Sequence, residues 1–102
     1  METEINRVIK SVYREDPTVT GIMVVDESGL CLDNDNRVPE EAAGLFASIA
    51  ARSEMVLMLN SNQNPDSSPV VQIEAGSLVI IIKRVLGVTM GIIKDKNRAA
   101  LF

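Results

Sequence analysis

Chemistry needs particular side chains, and this chain is short of them. Its 102 residues include no histidine, which removes the commonest general base and zinc ligand. The single cysteine, Cys31, excludes a CxxC pair, a zinc knuckle and an internal disulfide, and fits a reducing compartment. It stands between Leu30 and Leu32 with no His or Lys close in sequence, so it reads as a small buried hydrophobe and not a nucleophile. Asp26 and Glu27 are adjacent carboxylates, but acid–base work needs a pocket that drives their pKa values apart. In a turn sequence both should face water. Asp33-Asn34-Asp35-Asn36 opens like a calcium loop and then fails, with Arg37 at position five, Val38 at six and Gly44 at twelve. Gly87 and Gly91 have the spacing that packs membrane helices, yet their segment is β-like and short, which favours a tight turn and a close backbone approach. No GxGxxG or GxxxxGK[ST] cradle is present, and Lys83, Arg84, Lys94, Lys96 and Arg98 read as a solvated face. The sequence predicts no enzyme, no cofactor and no metal site.

Composition narrows the class further. A net charge of −4 argues against a nucleic-acid surface. Hydrophobic residues make up 46% and aromatics 3%, so a core of Val, Ile, Leu, Met and Ala is expected. No run of about 18 apolar residues, apolar leader or lipidation signal occurs, so a cytoplasmic chain is expected, reaching a membrane only through other proteins. One domain over 1–102 is predicted, with 1–2 and 95–102 as flexible ends.

The elements follow from periodicity. The segment Pro39–Leu59 is the one full-length helix, with Pro39 at the first helical position and Glu40 and Glu41 by the positive end of its dipole. Ala42, Phe46, Ile49, Ala50, Ser53, Val56 and Leu57 make its core stripe, and Leu45, Ile49 and Arg52 widen it beyond what one sheet face uses. A shorter helix starts at the Thr3 N-cap, carries the stripe Ile5, Val8, Ile9, Val12 and Tyr13, and stops at Asp16-Pro17. Strands are expected at Gly21–Val25, Leu30–Leu32, Val70–Glu74, Leu78–Ile82 and Gly87–Ile93. Turns fall at Asp26–Gly29, Ala75–Ser77 and Lys83–Leu86, with polar loops at Asp33–Asn36 and Asn60–Ser68. Leu78–Ile82 is apolar throughout and needs cover on both faces, one from each helix. Gln72 and Glu74 mark Val70–Glu74 as lying near an edge. The order α-β-β-α-β-β-β with tight turns gives an α+β fold with an antiparallel sheet.

The runs DPTVTGIMVVDESGLCL, VPEEAAGLFASIAA and PVVQIEAGSLVIIIKRVLGVTMGIIK resemble a roadblock-type domain, most distinctively in the hairpin from Gly21 to Leu30. Within that family the resemblance is strongest to the hepatitis B virus X-interacting proteins, the fifth subunit of the Ragulator complex. It covers most of the chain, from Asp16 to Lys94. It implies a profilin-like α/β/α layering around a five-stranded antiparallel sheet, without a third helix after the last strand. The loop Asn60–Ser68 is longer than the family leads one to expect. The resemblance also implies pairing with a second roadblock-type subunit through the third strand and the long helix. The residues expected at that interface are Val70, Val71, Gln72, Ile73 and Glu74, with Leu45, Ile49, Arg52 and Val56. The role implied is a non-catalytic scaffold bound to other Ragulator subunits and, through them, to Rag GTPases at the lysosome, in amino-acid signalling to the target-of-rapamycin kinase. A weak homodimer is the expectation for the chain alone. The alternative on the same fold is a homodimeric dynein cargo adaptor or small-GTPase regulator.

Overall fold

A computed structural model describes residues 3–35, 38–59 and 68–98. Two helices and five strands run in the order α1 (Glu4–Glu15), β1 (Val19–Val25), β2 (Cys31–Asn34), α2 (Ala42–Met58), β3 (Val70–Ala75), β4 (Leu78–Val85) and β5 (Val88–Asp95). The strands form one sheet in the order β2-β1-β5-β4-β3, every neighbouring pair antiparallel. This is the α+β topology that the sequence predicts.

The sheet carries a core on each face. Met23, Val25 and Ile82 meet Val38 and the α2 residues Ala43, Phe46 and Ala50 on one side. On the other, Val19, Ile22, Val24, Met90 and Ile92 receive Ile5, Val8, Ile9, Val12 and Tyr13 of α1. The apolar Leu78–Ile82 stretch of β4 therefore has cover on both faces, with Ile82 in the first cluster and Ile81 against the second. Alternating side-chain direction along a strand produces this division.

Local chemistry fixes the ends of the elements. The Thr3 side chain accepts the Asn6 N–H at 3.1 Å and caps α1, while Asp16 closes it in an extended conformation ahead of Pro17. In the β1–β2 turn Asp26 Oδ1 accepts N–H bonds from Ser28 and Leu30, each at 2.9 Å, and Gly29 adopts φ +92°. The turn role given to Asp26 and Gly29 holds. Asp35 accepts both the Tyr13 hydroxyl and, at 3.2 Å, the Ile22 N–H, tying α1 to the start of the sheet. Gly91 is where α2 comes closest: a Cβ there would lie 2.3 Å from the Phe46 ring. The close approach expected at Gly91 is thus an aromatic ring laid on bare backbone.

Several element ends and one burial assignment depart from expectation. Pro39 does not begin the α-helix. Instead Ala42 N–H bonds Pro39 O at 2.9 Å and Ala43 N–H bonds Glu40 O at 3.0 Å, two tight i→i+3 closures, and the α-helix follows from Ala42. The second strand is Cys31–Asn34, not Leu30–Leu32, because Asp33 and Asn34 pair with Val24 and Met23. The turn predicted at Lys83–Leu86 shrinks to Leu86-Gly87, since Val85 already pairs with Val88. Both turn residues have positive φ, +54° and +84°, so the hairpin is of type I′ with leucine where asparagine is usual. Val56, placed on the core stripe, is 66% exposed. At 100° per residue the sheet-facing arc is already taken by Ala43, Phe46 and Ala50.

Near the C-terminus, Lys96 N–H bonds Ser77 O at 2.9 Å and an Arg98 Nη1–H bonds Val19 O at 3.0 Å. The Asn60–Ser68 loop lies outside the described residues except for Ser68.

Candidate partner interface

A sheet of finite width has two edges, and here they are built differently. At β2 the strand is four residues long, and its register slips between Val24 and Val25, leaving Leu32 without a partner across the ladder. A bulge in a short strand is a common way to spoil an edge as a template. At β3 six residues pair with β4 in unbroken register from Val70↔Lys83 to Ala75↔Leu78. The charges of β3 are gathered at its end, where Glu74 pairs with Lys96. Val71, Gln72 and Ile73 leave its middle uncharged, and among the described residues nothing pairs on its outer side.

Side chains on β3 follow its register. Val71 and Ile73 lie on the α2 face, opposite Ile82 and Ile80. Val71 is half-buried against the core and Ile73 is 43% exposed. Val70, Gln72 and Glu74 lie on the other face and are exposed. The α1 helix packs against the β1 and β5 residues of that face and leaves them uncovered.

The helix beside this edge presents a second apolar surface. Gly44 lies under the β1–β2 turn, 3.5 Å from where a Cβ on Gly29 would sit, which marks the flank of α2 facing that turn. Leu45, Ile49 and Val56 occupy the opposite flank by helical geometry, toward β3. Ile49 and Val71 pack against the same core cluster, which joins helix flank and strand edge. Leu45 is 63% exposed and Arg52 stands out at the crest. Beyond it Arg52, Met55, Val56 and Leu59 line an open hollow of about 290 Å³. Of the nine expected interface residues, Leu45, Ile49, Arg52, Val56, Val71 and Ile73 thus lie on the α2 side of the sheet, while Val70, Gln72 and Glu74 share the β3 edge but face the other way. Sequence reasoning passed over Met55 and Leu59, although their spacing from Arg52 and Val56 could have found them.

Several charged groups elsewhere are engaged in holding the fold. Lys94 Nζ lies 2.8 Å from Asp16 Oδ2, and this contact, with hydrogen bonds from Thr18, lowers the Asp16 pKa to about 2. Backbone and Ser28 hydrogen bonds lower that of Asp26, and Lys96 lowers that of Glu74. Arg84 Nε sits 2.7 Å from Glu54 Oε1, joining β4 to α2. Four members of the basic set named from sequence are therefore internal partners. Cys31 is half-buried against the α2-side core, its Sγ 3.5 Å from Asp33 O. Among the described residues no group of three or more His, Cys, Asp or Glu is placed to hold a metal. Nor is any described helix long and apolar enough to cross a membrane.

A family model described as Ragulator complex protein LAMTOR5 matches residues 1–94. The chain belongs to that family. None of the curated proteins matches its sequence. Among solved structures it is similar to a roadblock/LC7 domain from Streptomyces avermitilis, with TM-score 0.71 and 13% identity over 90% of this chain and 79% of that one. It is also similar to MglB of Myxococcus xanthus, with TM-score 0.65 and 16% identity over 93% and 80%. A further MglB structure, described in a tetrameric arrangement, has TM-score 0.65 and 15% identity over 93% and 76%. At these identities the likeness establishes the roadblock/LC7 fold, and the family model supplies the Ragulator relationship.

Proposed function

We propose that this chain is a non-catalytic scaffold subunit of a Ragulator-like complex, joined to a second roadblock-type chain through β3 and the outer flank of α2. The observation that carries the reading is the difference between the two sheet edges. One is short and bulged, and the other is regular, uncharged at its centre and flanked by exposed apolar helix surface. A joint formed there sets main-chain register by strand pairing, while the helix faces supply most of the driving force. It would bury on the order of 1,200–2,000 Å² in total. The resulting pair would hold other Ragulator subunits and, with them, Rag GTPases at the lysosomal surface for amino-acid signalling to the target-of-rapamycin kinase. Membership of the family supports that setting.

The test is affinity purification of the tagged chain from its own cells, with mass spectrometry, for the wild type, Val71→Lys and Ile73→Lys. Ile73 is the more exposed position and guards against loss of fold. The expected result is a roadblock-type mate and Ragulator subunits with the wild type, and none with either folded variant. Recovery of only a second copy of this chain, with a dynein or a small GTPase, would replace the scaffold reading with the adaptor or regulator one.

A further inference from the structure

The apolar surface of α2 carries one charge, and that charge stands at its midpoint. Leu45, Arg52 and Leu59 follow one another at seven-residue steps, so they form a line along the helix that drifts only about 20° per step. The line is about 21 Å long. Leu45 and Ile49 lie on one side of Arg52, and Met55, Val56 and Leu59 close the hollow on the other. The guanidinium is exposed. Its Nε–H donates to Ser48 Oγ of the same helix at 3.2 Å, and among the described residues it pairs with no carboxylate.

In a two-fold contact between identical chains residue i meets residue j and j meets i, so only a residue at the centre, on the axis, meets its own copy. Two copies that used the whole stripe would bring Arg52 onto Arg52 in an otherwise apolar setting. Each copy would also bring a net charge of −4, adding a general repulsion. Like charges juxtaposed at a contact act as a device against the wrong mate. Resting on the interface proposed above, we propose that Arg52 sets the choice of mate at this surface. It disfavours a second copy of this chain and favours a different roadblock-type chain with a carboxylate at the midpoint of its own helix. The arginine fork suits such a mate because it binds a carboxylate with two parallel hydrogen bonds.

The full chain alone tests this, because a charge reversal can stand in for the mate. Sedimentation velocity is run on the wild type, on Arg52→Leu, on Arg52→Glu, and on an equimolar mixture of wild type and Arg52→Glu. The proposal expects wild type and Arg52→Glu each to self-associate weakly. The mixture associates about tenfold more tightly than either, and added salt weakens it. Arg52→Leu self-associates about tenfold more tightly than wild type, with little response to salt. Equal association in all four samples, or gain in Arg52→Leu without gain in the mixture, would overturn the proposal. Adding Ile73→Lys to both members of the mixture separates the two readings. Loss of the cross-association supports the β3 edge, whereas its survival removes that edge and leaves the arginine effect standing.

Discussion

Asp16 is the residue where the ionisation chemistry of this molecule is most legible. Its carboxylate is stabilised by Lys94 and Thr18, and its pKa falls from 3.8 to about 2. A carboxylate lowered on folding stabilises the folded chain fully above its ordinary pKa, and that contribution fades as the group takes up a proton. The loss therefore runs as pH falls from 3.8 through about 2. The pair is partly open to water, so its contribution is on the order of 1 kcal/mol. Denaturant titrations across that range should show a shallower acid loss for Asp16→Asn than for the wild type. Asp26 and Glu74 are lowered in the same direction, by hydrogen bonds from Leu30 and Ser28 and by Lys96, so any contribution they make is lost in the same sense. Leu86 is the complementary case, a residue in a conformation its side chain resists. At φ +54° it sits in the left-handed region with 58% of its surface exposed. Leu86→Asn, which tolerates that region, should raise stability by about 0.5–1 kcal/mol in urea unfolding.

At the scale of elements, the sequence made the helices and strands readable because their apolar positions recur with the period of the backbone. The α1 stripe from Ile5 to Tyr13 and the two-sided β4 landed where periodicity put them. What stayed hidden depended on contacts or backbone states that no local pattern signals. Leu32 becomes unpartnered only because Asp33 and Asn34, polar residues, join the ladder. Leu86-Gly87 lacks the usual Asn-Gly signature, so the sequence alone suggests a longer turn than the two residues observed. Val56 fits a core stripe by spacing, and only the sheet's actual position turns it outward. Gly91 is the position where α2 and β5 depend on one another. Gly91→Ala drives a methyl group into the Phe46 ring and should cost about 1–3 kcal/mol. In a Phe46→Leu background the same change should cost less by about 1 kcal/mol. Equal costs in the two backgrounds would show that the ring is not what Gly91 makes room for.

The whole molecule is a sheet with helices on both faces and an uneven pair of edges. Among the described residues, the charged groups with close partners tie elements of the fold together. Asp16, Glu54 and Glu74 are each matched to a base that ties one element to another. Exposed apolar side chains include Leu45, Val56 and Leu59 on α2 and Val70 and Ile73 on the open strand, with Leu30 and Leu32 exposed near the other edge. In a family whose model is that of a Ragulator subunit, the first of these surfaces reads as the place where the next chain joins. Hydrogen exchange on the isolated chain and on the complex captured from cells tests that claim most directly. It reports main-chain pairing at each edge separately. The account predicts that amides across Val70–Ala75 slow on complex formation, while those of Cys31–Asn34 exchange as they do in the free chain. Protection gained at Cys31–Asn34, with Val70–Ala75 unchanged, would contradict it.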